Sequence, residues 1–158
     1  MVNVMPDSVE FKLEGFDDHL ARLKKLETKV AKSTLGKGMR RGMKIVRDAA
    51  RDGARGIDDP QSAANIPKNI VTRTMSKKKV RGRGDIGIQV GVMGGAGGSK
   101  KSEAFDGLPG KDTRHWRFIE LGTAKIPARP FMGPSLEKNT QKVTSTVAQE
   151  LKKELDKF

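Results

Sequence analysis

Arg114-His115-Trp116-Arg117-Phe118-Ile119-Glu120-Leu121-Gly122-Thr123 is the stretch whose reading decides the fold. Taken at a period of two, it is a strand. Trp116 and Phe118 point one way, and Ile119 and Leu121 the other. Gly122-Thr123 ends it. A strand with apolar side chains on both faces needs cover on both sides, so it is the expected central element. Ala124-Lys125-Ile126-Pro127-Ala128-Arg129-Pro130-Phe131 follows. Pro127 and Pro130 hold this segment extended and keep Arg129 above all out of helix. A helix is expected soon after Phe131.

Upstream, Val9, Phe11 and Leu13 alternate with polar residues, the period of a half-buried strand. Asp17 or Asp18 suits a helix N-terminus, where a carboxylate meets free N–H groups and the positive end of the dipole. Phe16, Leu20, Leu23, Leu26 and Val30 form the apolar stripe of that helix. A second helix is predicted from Ser33 or Thr34 to about Arg55, with Leu35, Met39, Met43, Val46 and Ala50 inward. Gly36, Gly38, Gly42 and Gly53 cost up to ~1 kcal/mol each there relative to Ala, so they imply either close helix packing or a late start. Arg40, Lys44, Arg47, Arg51 and Arg55 form a basic stripe, read as a solvated face or as a surface for DNA or an acidic partner.

Gly56 to Lys68 reads as a loop broken by Asp59-Pro60 and Ile66-Pro67. Asn69 to Ser76 and Asp85 to Met93 read as strands, the second marked by strictly alternating Ile86, Ile88, Val90 and Val92. Between them, Lys77-Lys78-Lys79-Val80-Arg81-Gly82-Arg83-Gly84 is the densest basic cluster in the chain. Gly94 to Thr113 is a polar, glycine-rich segment expected to be a mobile loop. The last helix is predicted to be capped by Ser135, with Leu136, Val143, Val147, Leu151 and Leu155 as its stripe, Thr140 filling one place and Phe158 extending it. The predicted fold is α+β: a small, mainly antiparallel sheet packed against two N-terminal helices and one C-terminal helix. One domain spans residues 1–158.

The chain has 158 residues, and Leu, Ile, Val and Phe supply 35 of them. That share stands just above the roughly one-fifth below which a highly charged chain tends to be disordered. A lone subunit is therefore expected to be marginally stable, with assembly supplying part of the burial. The net charge of +13 implies attraction to polyanions or acidic protein surfaces. With no cysteine, disulfides and thiol chemistry are excluded. No apolar run approaches the ~20 residues that span a bilayer. The N-terminus lacks the layout of a signal peptide. A soluble protein made in the cytoplasm, with no membrane partner, is expected.

Chemistry is sparse. Gly82-Arg83-Gly84-Asp85-Ile86-Gly87 fits the dinucleotide spacing, but a strand follows it where the pyrophosphate needs a helix N-terminus. The Gly94–Gly98 run lacks the Gly-Lys-Ser/Thr ending of a phosphate loop. His19 and His115 are the only histidines, and Asp48, Asp52, Asp58, Asp59 and Asp85 show no metal-binding pattern. No enzyme, cofactor or metal is expected.

An aromatic segment ending Phe118-Ile119-Glu120-Leu121-Gly122-Thr123, a short spacer, Ala128-Arg129-Pro130-Phe131 and a C-terminal amphipathic helix together resemble the tail-completion proteins of long-tailed bacteriophages. Gln61-Ser62-Ala63-Ala64-Asn65 stands where that family often carries a Thr-Gly pair and a basic residue. The resemblance implies a structural neck or tail component of the virion that assembles as a ring, with six copies matching a tail tube. The ring would sit at the head-proximal end of the tail, complete it and help it join the head. Implied partners are other copies, the tail tube or tail terminator protein, head–tail connector proteins and the DNA passing through the neck.

On this reading Trp116, Phe118, Glu120, Gly122, Thr123 and Pro130 are the structural motif. The resemblance gives Glu120 an arginine partner, and proximity in the chain points to Arg129. Candidate interaction residues are Lys77, Lys78, Lys79, Arg81, Arg83, Arg129 and Phe131. Phe131 is expected in a pocket between the final helix and the central strand near Phe118, the alternative being an exposed anchor that plugs into the neighbouring subunit. The other reading is a basic nucleic-acid-binding protein that uses the helix stripe and the basic turn.

Overall fold

Heptad-like recurrence of Met39, Met43, Val46, Ala50 and Ala54 gives the long second helix an unbroken buried face. The computed structural model describes residues 8–10, 17–80, 86–95 and 98–158. In it, β1 (Ser8–Glu10) and α1 (Asp17–Lys24) precede α2 (Thr28–Arg55), which at 28 residues is about 42 Å long. α3 (Ile66–Asn69), β2 (Ile70–Thr74), α4 (Lys77–Val80) and β3 (Ile88–Val92) follow. A 3-10 turn at Ser102–Phe105, α5 (Trp116–Leu121), α6 (Met132–Glu137) and α7 (Thr140–Leu155) complete the described elements. Helices around a small antiparallel sheet make the fold α+β, as the sequence predicts.

The sheet has the order β1-β3-β2, antiparallel throughout. Val90 stands at its centre, opposite Val9 on one side and Thr72 on the other. Ile88, Val90 and Val92 are all buried, together with Ile70. α2 meets β2 and β3 along one face and α7 along another, so it is the element about which the core is built. The buried stripe of α7 is Val143, Val147, Leu151 and Leu155.

The glycines of α2 serve helix packing. A Cβ at Gly42 would come within 2.4 Å of Val147 Cγ2, and one at Gly38 within 3.4 Å of Leu151 Cγ. The close approach of α2 and α7 depends on their absence, which offsets the helix-propensity cost. Ion pairs flank the seam at Lys37–Glu154 and Arg41–Glu150, 3.2 and 3.4 Å long, each with a solvated cation and a part-buried carboxylate. Pairs of that kind contribute ~0.2–1 kcal/mol each.

Several expectations are corrected. The Arg114–Thr123 stretch holds a helix, α5, and no strand. Leu26 lies in the turn that separates α1 from α2, and Val30 belongs to α2, so the first stripe spans two helices. α2 starts at Thr28, before Ser33 and Thr34. The C-terminal helical region breaks at Lys138-Asn139. Ser135 lies inside α6, where its hydroxyl donates to Met132 O at 2.6 Å instead of capping α7. Thr140 is exposed, and so is Phe158, at 72%. The Phe11–Leu13 part of the first strand, Phe16, Arg81 and Arg83 lie outside the described residues.

Candidate functional site

Trp116 and Glu120 are four residues apart, so in a helix they share a face. That face is what α5 turns inward. The Trp116 side chain is fully buried, and its Nε1 donates to Gly95 O at 3.1 Å. Its ring meets Phe131 edge to face, with centroids 6.3 Å apart. Phe118 and Leu121, three apart, share the opposite face and are 58% and 56% exposed. A strand would have sent Trp116 and Phe118 to the same side, so burial of only one of them requires the helix.

Glu120 is the cap of the next helix. The first N–H groups of α6 have no partner within it. Glu120 Oε2 accepts from Phe131 N at 2.7 Å and Met132 N at 3.0 Å, and Oε1 accepts from Gly133 N at 3.0 Å. The expected Arg129 partner does not occupy this place. Arg129 N donates to Ile119 O at 2.8 Å, and its side chain is exposed. Phe131 is buried at 3% exposure, beside Trp116 and the backbone of α2 at Gly53. Its pocket is intramolecular as expected, but Trp116 replaces Phe118 as the wall.

Between α5 and α6 the chain is exposed yet fixed. Every residue from Thr123 to Pro130 is exposed. Thr123 N donates to Ile126 O at 2.8 Å, and Thr123 Oγ1 accepts from Lys125 N and Ile126 N. This folds Ile126, 56% exposed, back beside the end of α5. Gly122 makes the turn, at φ 73° and ψ 175°, a region open in practice to glycine alone. A Cβ there would lie 2.7 Å from Ala128 N. Gly122→Ala is therefore expected to cost about 1–3 kcal/mol in thermal or denaturant unfolding, and a neutral result would contradict this geometry.

A second set of bonds anchors the preceding segment. Asn69 is fully buried. Its Nδ2 donates to Lys111 O and Thr113 Oγ1, and its Oδ1 accepts from Gly110 N. Arg114 donates to Asp112 through Nε at 2.9 Å and Nη2 at 2.8 Å, and lies 4.3 Å over the Phe105 ring. Ser102 Oγ also donates to Asp112. We expect the mobility proposed for 94–113 not to extend through Ser102–Thr113. Arg114 holds Asp112 well below the usual carboxylate range. The pair's contribution is then complete above pH ~4, the unfolded value, and fades as pH falls below it. Amide protection around Thr113 and Trp116 is expected to hold from pH 7 to 4 and to drop toward pH 2. Asp112→Asn should abolish that drop.

The basic candidates are scattered. Lys77, Lys78 and Lys79 are exposed on α4, while Val80 beside them is buried. Of the α2 stripe, Arg51 is committed to Ile70 O at 2.7 Å, Arg47 pairs with Asp48 and Arg55 with Asp52. Arg40 and Lys44 are exposed. An open cavity of about 560 Å³ lies at the end of α2, with Arg51, Arg55, Asp58 and Lys68 in its wall. Sequence reasoning missed Asn69, because a buried amide is marked only by partners some forty residues away. Among the described residues no group of three His, Cys, Asp or Glu side chains could hold a metal, and no helix is long and apolar enough to cross a membrane.

A family model described as "Bacteriophage HK97-gp10, putative tail-component" matches residues 17–122, from the start of α1 to the end of α5. Of the Phe118–Phe131 motif it takes in Phe118 to Gly122 alone. No curated protein and no solved structure matches the chain significantly.

Proposed function

This chain belongs to the HK97-gp10-like family of bacteriophage tail components, and from that premise we propose that it forms a ring at the head-proximal end of the tail. The ring completes the tail and helps it join the head. Membership in a tail-component family implies a structural role in the virion and contact with other tail or head proteins. The observation that supports contact with other virion proteins is the exposed Thr123–Pro130 loop, whose Ile126 lies beside the exposed Phe118 and Leu121 of α5. Apolar side chains grouped at one exposed place mark an interaction site.

A closed ring needs heterologous contacts, in which one patch meets a different patch on the next copy. The 94–113 segment and the basic Lys77–Gly84 cluster, of which Lys77–Lys79 stand exposed on α4, are the regions proposed for those contacts, and six copies would match a tail tube. The other copies, the tail tube or tail terminator protein, the head–tail connector proteins and the DNA in the neck are the proposed partners. Mass measurement of the purified chain, alone and with tail tubes, tests the reading. A ring-sized particle that binds tube ends is expected, and a monomer indifferent to tubes would contradict it.

Charge reversal of Lys77, Lys78 and Lys79 should leave the melting temperature within about 2 °C, because solvated side chains add little to stability. It should reduce tail joining or DNA retention. Unchanged virion yield and DNA content would remove those lysines from the interface.

A further inference from the structure

The large hydrophobic side chains most exposed among the described residues are Phe118, Leu121, Ile126 and Phe158. Three of the four belong to α5 and the loop that folds back against its end. Phe118 and Leu121 share a helical face, and the Thr123–Ile126 bonds bring the third beside it. The cationic residues of the same stretch are Arg117, half-buried, and Lys125 and Arg129, both exposed. The acids of the same region are turned elsewhere: Glu120 to the amides of α6, and Asp112 to Arg114 and Ser102. The result is an apolar face flanked in the chain by cations, with the carboxylates of this stretch, Asp112 and Glu120, already engaged.

We propose that this face docks into an apolar recess rimmed by carboxylates on a different tail or neck protein. The inference rests on the tail-component reading and names the class of partner for its exposed loop. Charge complementarity selects the occupant. On a second copy, the open cavity at the end of α2 presents Arg51, Arg55 and Lys68 beside a single carboxylate, Asp58. Like charges facing each other across an interface oppose association. Duplex DNA would match these cations but leave Phe118, Leu121 and Ile126 without apolar cover. An acidic protein surface with an apolar centre satisfies both parts. The loop is already ordered by its own bonds and by two prolines, so docking costs little conformational entropy. Aromatic and arginine side chains at one patch are the composition that concentrates binding energy.

Headless tails from a phage that lacks this chain are the probe. Purified full-length chain is added, and binding is measured by co-sedimentation at several salt concentrations. Wild-type chain is expected to bind, less tightly as salt rises. Phe118→Asp/Leu121→Asp should bind roughly 100-fold more weakly while keeping the melting temperature and the self-assembled mass. Ile126→Asp, in the loop instead of the helix, should act in the same direction, and Lys125→Glu/Arg129→Glu should lose roughly tenfold. Wild-type binding by Phe118→Asp/Leu121→Asp would overturn the inference and leave the tail placement standing. Loss of self-assembled mass in that variant would instead make the face a contact between copies. Displacement of tails by equimolar duplex DNA would make it a nucleic-acid surface. Wild-type chain that ignores tails altogether would overturn the placement, and this inference with it.

Discussion

Trp116→Ala is expected to lower the unfolding free energy by about 3–5 kcal/mol, the usual cost of emptying a large buried aromatic site. The ring is fully buried, its Nε1 is bonded to Gly95 O, and it forms one wall of the Phe131 pocket. For a chain of this length that loss corresponds to a melting temperature lower by roughly 6–20 °C. Domains of this kind have ~5–15 kcal/mol in all, so a population of unfolded chain at 37 °C is expected. Phe131→Ala should cost about as much by the same mechanism. The double variant should be less destabilised than the sum of the two, because each single change already removes the edge-to-face contact, worth ~0.5–1.5 kcal/mol. Strict additivity in calorimetry would show that the two rings do not share one site. A monomer that melts normally with Phe131→Ala would place that ring in an interface and contradict its burial.

Glu120→Ala is the second large effect. Three backbone N–H groups lose one carboxylate at once, and the chain around them is partly buried. Hydrogen bonds to charged groups contribute ~1.5–3 kcal/mol each, and bonds within one network are not additive, so a total near 3–4 kcal/mol is expected. Glu120→Gln should fall between, since its amide has one acceptor oxygen and would turn an N–H₂ donor toward an N–H donor. Arg129→Ala supplies the contrast. If Glu120 were held by an ion pair, removal of the arginine would cost nearly as much as removal of the glutamate. With the cap observed here, Arg129→Ala should stay within about 0.5 kcal/mol of the parent in denaturant unfolding.

The same residues show what a sequence can and cannot reveal. Ile88, Val90 and Val92 alternate over a run bounded by glycines, and β3 lies there. The period of Val143, Val147, Leu151 and Leu155 is helical and long, and α7 buries all four. Period fails where a run is short. Over Trp116 to Leu121 a pattern of two and a pattern of three to four fit the same apolar residues, and six positions do not separate them. Tertiary contacts decide, because Trp116 and Glu120 both have inward partners while Phe118 is exposed. Leu26 and Val30 misled for a related reason: both continue the spacing of α1, while the turn between the helices is fixed by backbone bonds from Lys25 and Leu26.

The site was half legible. The interruption of helix by Pro127 and Pro130 and an internal pocket for Phe131 were readable from residue type and order, while a structural role for Glu120 came from the family resemblance. The Glu120 partner was not. A carboxylate followed by an arginine and by the free amides of a new helix has two satisfactory solutions, and sequence distance favours the nearer one. Exposure of Phe118, Leu121 and Ile126 was also hidden, because an apolar residue is first assigned to the core. That they stand outside is what turns the α5 loop from a packing motif into a surface.

A density map of the intact virion, resolved well enough to trace this chain at the junction of head and tail, tests the central claim most directly. The account predicts a closed ring of copies at the head-proximal end of the tail, with Phe118, Leu121 and Ile126 buried against a carboxylate-rimmed recess of another protein. Copies placed elsewhere, or a ring whose α5 loop faces only solvent, would contradict it.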